Sequence, residues 1–212
     1  MQANNKIILF HGNYKMHGKH MEQIVLASAS PRRKDILTQA GYKLIIEKSD
    51  IDESKFPTEN IEPCKYAEQL ALAKAKDVAK IFPDKIVLGA DTIVDYDGTI
   101  IGKPEDEKDA EEIVTKLFSK PHKTITGIAI VRINDNTEIV TNDVTIVYPK
   151  KMSQEQIKKH LQSETWQGKA GAYAIQETGD EFVEKLEGSL TNVMGLPLEL
   201  VKNLLDKLLA KE

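Results

Sequence analysis

A single cysteine, Cys64, stands among 212 residues. It rules out an intrachain disulfide and points to a reducing, cytoplasmic setting. No apolar run approaches the roughly 20 residues that span a bilayer, so no membrane helix is expected. Nor is there an excess of positive charge: 29 Lys and Arg against 33 Asp and Glu leave a formal net charge of -4. That balance argues against a stable nucleic-acid complex and confines any basic patch to one locality. Repeats, low-complexity tracts and linkers long enough to separate independent domains are also missing. What is present, 41% hydrophobic and 29% charged residues, is the composition of a globular chain with a core of its own.

The opening residues differ from the rest. Lys6–Phe10 is too short for a secretory core, and His11, His17 and His20 match no standard zinc spacing. Residues 1–22 therefore read as a flexible leader, with Met21 a candidate start, and residues 23–212 as one domain.

Strands and helices then alternate. Ile24–Ala27 is a buried apolar strand, and Ser30, Pro31 and a closing Gly41 frame the helix that follows. A second strand covers 43–48, a long amphipathic helix 62–82, and "KIVLGADTIVDYDG" a buried strand ending in an Asp-Gly turn. Residues 105–118 form a charged helix, and "HKTITGIAIVRI" and "EIVTNDVTIVY" an antiparallel pair. Ser153 opens a further helix with a capping box to Gln156. "AYAIQ" and "FVEKLEG" read as short strands, and 197–209 as a terminal helix. The order predicts a mixed α/β fold.

Familiar catalytic motifs fail. "GTIIGKP" is one residue short of a phosphate loop and carries proline where Ser or Thr is required. There is no dinucleotide glycine fingerprint, no His-Glu-x-x-His and no Gly-x-Ser-x-Gly. Cys64 has no nearby histidine and reads as a core or surface thiol.

The informative stretch is "SASPRRKDIL", residues 28–37. Two readings stand. It is a well-capped helix start, or it is an anion site, since Arg32 and Arg33 oppose the positive end of the helix dipole unless an anion binds there. Asp91, after "IVLGA", sits where a buried strand should leave the core; it is a strand-end cap or a holder of water or metal. Glu53 lies in an acidic loop and Lys74 within a helix, where solvated faces are the default. If they converged, Arg32, Arg33, Lys74 and Lys103 could neutralise a polyphosphate, and Glu53 and Asp91 could hold a divalent ion.

"SASPRR" (28–33), "DES" (52–54), "LALAKA" (70–75), "GADTIV" (89–94) and "GKP" (102–104) come in the order of the Maf nucleotide pyrophosphatases. "HKTITG" (122–127), "GKAGAYAIQ" (168–176) and "GSLTNVMGLPL" (188–198) follow in that order too. The chain resembles that family from Gln23 to its C-terminus. The resemblance implies a mixed twisted sheet forming two lobes around a deep cleft. It also implies hydrolysis of nucleoside triphosphates to monophosphate and pyrophosphate with Mg or Mn as the divalent metal, and a homodimer as the assembly. By the same resemblance Asp91 accepts the proton of the attacking water, and Glu53 assists metal or water. Ser28, Ser30, Arg32, Arg33, Lys74 and Lys103 would hold phosphates. Two other classes stay open: a nucleotide-binding regulator of cell division without turnover, and a phosphate-binding scaffold.

Within the family, the branch acting on 7-methylguanosine triphosphate has Trp, Gln and Glu where this chain has Arg32, Thr92 and Gln176. The branch acting on dTTP and UTP has Arg, Thr and Gln, which this chain matches at all three positions. A methylated guanine is cationic and favours an aromatic face and a carboxylate, whereas neutral uracil or thymine suits an amide that donates and accepts. Gln176→Glu should therefore lower pyrimidine turnover in a nucleotide panel; unchanged dTTP and UTP rates would remove Gln176 from base selection.

Overall fold

The computed structural model describes residues 23–173, 175 and 182–209. The expected leader with its three histidines, and Gln176, lie outside those residues. Among the described residues seven strands form one sheet: β1 (Ile24–Leu26), β2 (Leu44–Ile46), β3 (Val87–Tyr96), β4 (Thr99–Ile101), β5 (His122–Arg132), β6 (Thr137–Pro149) and β7 (Val183–Glu187). Their order is β2-β1-β3-β5-β6-β7, with β4 paired to β3 as well. β1 is parallel to both β2 and β3; every other pairing is antiparallel. Helices α1 (Pro31–Gln39), α2 (Pro63–Ala79), α3 (Glu107–Leu117), α4 (Gln154–Gln162), α5 (Leu190–Val193) and α6 (Leu198–Leu209) flank it.

Local chemistry sets the element ends. Gly41, with φ 91°, follows α1 in the left-handed conformation expected of a helix terminator. Asp97 (φ 53°) and Gly98 (φ 82°) give the β3–β4 hairpin two successive left-handed residues, as a primed turn requires. The capping box of Ser153 and Gln156 opens α4.

The alternation of β3 divides its side chains between two helical layers. Leu88 and Ala90 join Ile36 and Leu37 of α1 and Val201 and Leu205 of α6. Val87 packs instead with Ala71, Ala75 and Val78 of α2. Farther along the sheet, Val94 joins Val114 and Leu117 of α3, Leu161 of α4, Trp166, Tyr173 and Phe182 in a separate cluster. Long strands thus run from one lobe into the other.

The cleft between the lobes follows from strand lengths. β5 occupies one edge of β3 from Val87 to Asp95. On the other edge β1 pairs only with Val87 and Leu88, and β4 only with Val94, Asp95 and Tyr96. Residues 89–93 therefore face a gap in the sheet. Two sequence expectations change here. Asp91 does not end a strand; it sits within β3, and the opening beside it exists because β1 stops early. "AYAIQ" does not begin a strand either: Ala170–Ala172 form a 3-10 turn with Gly171 at φ 76°, and its Gln176 end lies outside the described residues. An apolar alternation over so short a run does not separate strand from turn.

α2 lies close on the sheet because two strand positions carry no side chain. A Cβ on Gly127 would come within 2.2 Å of the Ala67 carbonyl oxygen, and one on Gly89 within 2.3 Å of that of Ala71. Both obstacles are backbone, so α2 would have to lift. Gly127→Ala should destabilise the fold by about 1–3 kcal/mol, read as a melting temperature lower by roughly 2–4 °C per kcal/mol. An unchanged melting temperature would show that the helix seat is slack.

Candidate active site

From the end of β1 the chain turns through Ser28 and Ser30 into α1. Ser28 Oγ accepts the Ser30 amide at 3.2 Å and Nη1 of Arg33 at 3.1 Å, which leaves its own hydroxyl proton to donate. Ser30 takes the N-cap position ahead of Pro31, but its side chain makes no capping bond. Ser30, Pro31, Arg32 and Arg33, the start of α1, line the cleft, and a helix N-terminus is a place where an anion can bind.

The two adjacent arginines divide. Arg33 is a tie: Nε donates to the Gly195 carbonyl at 2.8 Å, Nη1 to Ser28, and Nη2 to Thr92 Oγ1 at 3.0 Å. The tie extends inward. Thr92 Oγ1 lies 3.0 Å from Thr126 Oγ1 and 3.4 Å from the Gly195 carbonyl, and Thr126 Oγ1 donates to the Asn192 carbonyl at 3.2 Å. Burial pulls the Arg33 guanidinium below its ordinary value; Asp91 and Glu53 pull the other way, and Arg32 adds to the lowering. Arg32 and Lys103 border the same cleft, and neither has a hydrogen-bond partner among the described residues.

On the opposite layer, Lys74 leans back along α2, as helical side chains do, to the level of Asp91. Its ammonium donates to Asp91 Oδ1 at 2.5 Å and lies 2.8 Å from Glu53 Oε1. Lys74 and Asp91 are buried, with side chains 11% and 10% exposed, while Glu53 is 45% exposed at the mouth. The sequence default of a solvated lysine is thus reversed. Burial pushes the Glu53 carboxyl up, but the hydrogen bond and charge of Lys74, with Lys103 and Arg33, outweigh it and hold it below its ordinary value.

These groups line one cleft of about 410 Å³. It brings together Ser28, Ser30, Arg32, Arg33, Glu53, Lys74, Asp91, Thr92 and Lys103, residues spread over 76 positions. Residues on it that were not picked out from the sequence include Lys48, Lys169 and Tyr173. "GKAGAY" held the signal for the last two, a lysine and a tyrosine among small residues, but no periodicity marks it. Buried Lys169 donates to the Thr165 carbonyl. Tyr173 is fixed from behind. His122 Nδ1 donates to the Leu117 carbonyl at 3.1 Å, so its Nε2 accepts from the Tyr173 hydroxyl at 2.9 Å. Burial lowers the His122 pKa, which favours this neutral form.

A divalent ion would find two carboxylates here, those of Glu53 and Asp91. Among the described residues no three His, Cys, Asp or Glu side chains gather as a metal cage. Two carboxylates fit Mg or Mn when the remaining positions go to water and phosphate oxygens. A polyphosphate would find Arg32 and Lys103, which have no hydrogen-bond partner among the described residues, and the hydroxyls of Ser28 and Ser30.

The division between the arginines is measurable. Arg33→Ala removes the hydrogen bonds to Thr92, Ser28 and the Gly195 carbonyl, and should cost about 1–3 kcal/mol of stability without any ligand. Arg32→Ala should leave the melting temperature within about 1 °C while weakening nucleotide affinity. Equal melting temperatures for the two variants would show that Arg33 ties nothing.

The model of the family described as Maf-like protein matches residues 23–208. A protein named dTTP/UTP pyrophosphatase from Ruminiclostridium cellulolyticum is 43% identical over 188 residues, 89% of this chain and 97% of that one. Its namesake from Alkaliphilus oremlandii is 44% identical, over 84% of this chain and 92% of that one. The one from Syntrophomonas wolfei is 42% identical, over 85% and 94%. A solved HAM1 protein from Coxiella burnetii superposes with a TM-score of 0.49 at 17% identity, over 88% of this chain and all of that one. With the family match running over nearly all of the described residues, and these relatives matching over most of their own length, the chain belongs to the Maf-like protein family.

Proposed function

We propose that the protein is a nucleoside triphosphate pyrophosphatase acting on dTTP and UTP, releasing the monophosphate and pyrophosphate with the help of a divalent metal. The observation that carries this reading is the meeting of Asp91 and Glu53 on Lys74 in a cleft bordered by Arg32, Arg33 and Lys103. The names of the relatives agree with it.

The first-turn amides of α1, with Ser28, Ser30 and Arg32, receive phosphate oxygens, and Lys103 reaches them from the β4–α3 loop. Placement and electrostatics do most of the work in such a transfer. Asp91 holds a water in line with the α-phosphorus and takes its proton as the oxygen attacks. The bond from the α-phosphorus to the bridging oxygen breaks, and pyrophosphate leaves with that oxygen and its electron pair. Before the nucleotide binds, Lys74 holds the Asp91 carboxylate in place through the hydrogen bond to its Oδ1. A divalent ion held by Glu53, Asp91 and the phosphates would neutralise charge and make the water more acidic. Thr92 and Arg32 stand on the cleft wall where base selection is expected, Thr92 acting through the guanidinium it anchors.

Incubation with dTTP or UTP and Mg or Mn, followed by chromatography, should give monophosphate and pyrophosphate as first products. A nucleoside diphosphate as the first product would overturn the bond assignment. Asp91→Asn should abolish turnover yet keep nucleotide affinity within about tenfold, since it removes no cation. Preferred cleavage of 7-methylguanosine triphosphate by the unmodified protein would overturn the base assignment alone.

A further inference from the structure

The ammonium of Lys74 stands on both carboxylates that would hold the metal, 2.5 Å from Asp91 Oδ1 and 2.8 Å from Glu53 Oε1. We propose that Lys74 is a built-in counterion that keeps this carboxylate pair closed to a free divalent cation until a nucleotide arrives. Metal and triphosphate then enter together, and the phosphates draw Lys74 off. This proposal rests on the metal-assisted reading above.

Three features support it. The first is position: an ion at ordinary Mg–O distances of about 2.0–2.1 Å from the same two oxygens would take the place of the ammonium. Two like charges cannot share it. The second is charge: Arg33 and Lys103 act electrostatically on Glu53 together with Lys74. Three cations against two carboxylates leave the pair in a positive surrounding, which repels a free dication and attracts a polyphosphate or its metal chelate. The third is donor number: no third metal-binding carboxylate or imidazole joins the pair among the described residues. A nucleotide reverses all three terms. Its phosphate oxygens complete the coordination, its charge cancels that of the cations, and they give the Lys74 ammonium another partner. The stem of Lys74 is long enough to exchange a carboxylate for a phosphate while its backbone stays in α2.

Manganese provides the test, because water-proton relaxation is enhanced when Mn is carried on a slowly tumbling protein. The unmodified protein should bind Mn about tenfold or more weakly alone than with an uncleavable α,β-imido analogue of UTP. Lys74→Met should gain about tenfold in nucleotide-free Mn affinity, Lys74→Arg should not, and adding Glu53→Gln to Lys74→Met should abolish the gain. Mn binding by the unmodified protein that is equally tight with and without the analogue would overturn the proposal and leave the metal-assisted reading standing. A folded Lys74→Met protein with no gain would do the same. No Mn binding even with the analogue, when calorimetry shows that the analogue binds, would sink the metal-assisted reading itself. If Lys74→Met does not fold, the comparison on the unmodified protein decides.

Discussion

The close seating of α2 on the sheet is the constraint on which the site depends. Gly127 and Gly89 let the Ala67 and Ala71 carbonyls approach the strands to distances that no Cβ would permit. Asp91 is the register partner of Gly127 across β3 and β5. The same glycine that admits the helix therefore lies beside the carboxylate that the helix must reach. Lys74, one turn beyond Leu70 and Ala71, then meets Asp91 without solvent between them. If α2 rode a side chain higher, the lysine would lie in water and Asp91 would be a buried charge without a partner, at a cost of several kcal/mol.

From that contact the site is assembled out of two layers that would otherwise be separated by the sheet. Asp91 and Thr92 are neighbours in β3 and point to opposite faces. Asp91 belongs with Lys74 and Glu53, Thr92 with Arg33 and the turn at Gly195. The sheet edge is open from residue 89 to 93, so both faces reach one cleft. Short β1 thus shapes the cleft: a longer strand there would close the edge and part Asp91 and Lys74 from Arg33 and the start of α1.

The second lobe supplies a stiff wall. Tyr173 meets the ring of Phe118 edge-on at 5.3 Å, and Phe118 meets that of Phe182 at 5.9 Å. The neutral His122 orients the tyrosine hydroxyl from behind. Aromatic edges and a buried hydrogen bond restrict rotamers without adding charge, which suits a wall of a cleft whose other groups are charged.

Much of this was written locally. Ser30, Pro31 and Gly41 mark the limits of α1, Asp97-Gly98 marks a hairpin, and Ser153 with Gln156 marks the start of α4; each acts through its own backbone neighbours. The motifs, taken in order, likewise pointed to Arg32, Arg33, Glu53, Lys74, Asp91, Thr92 and Lys103. What they could not give is which partner each would have. Arg32 and Arg33 are indistinguishable as letters, and only the arrival of Gly195, 162 positions from Arg33, makes one a tie and leaves the other free to bind. Lys74 reads as a solvated lysine until Gly89 and Gly127 bring its helix down. Asp91 reads as a strand end because the early stop of β1 is a fact about a neighbouring strand. The sequence by itself determined elements, turns and the chemical types of the site. Pairing, burial and the opening of the sheet edge are contacts between distant segments, and only the tertiary structure decided them.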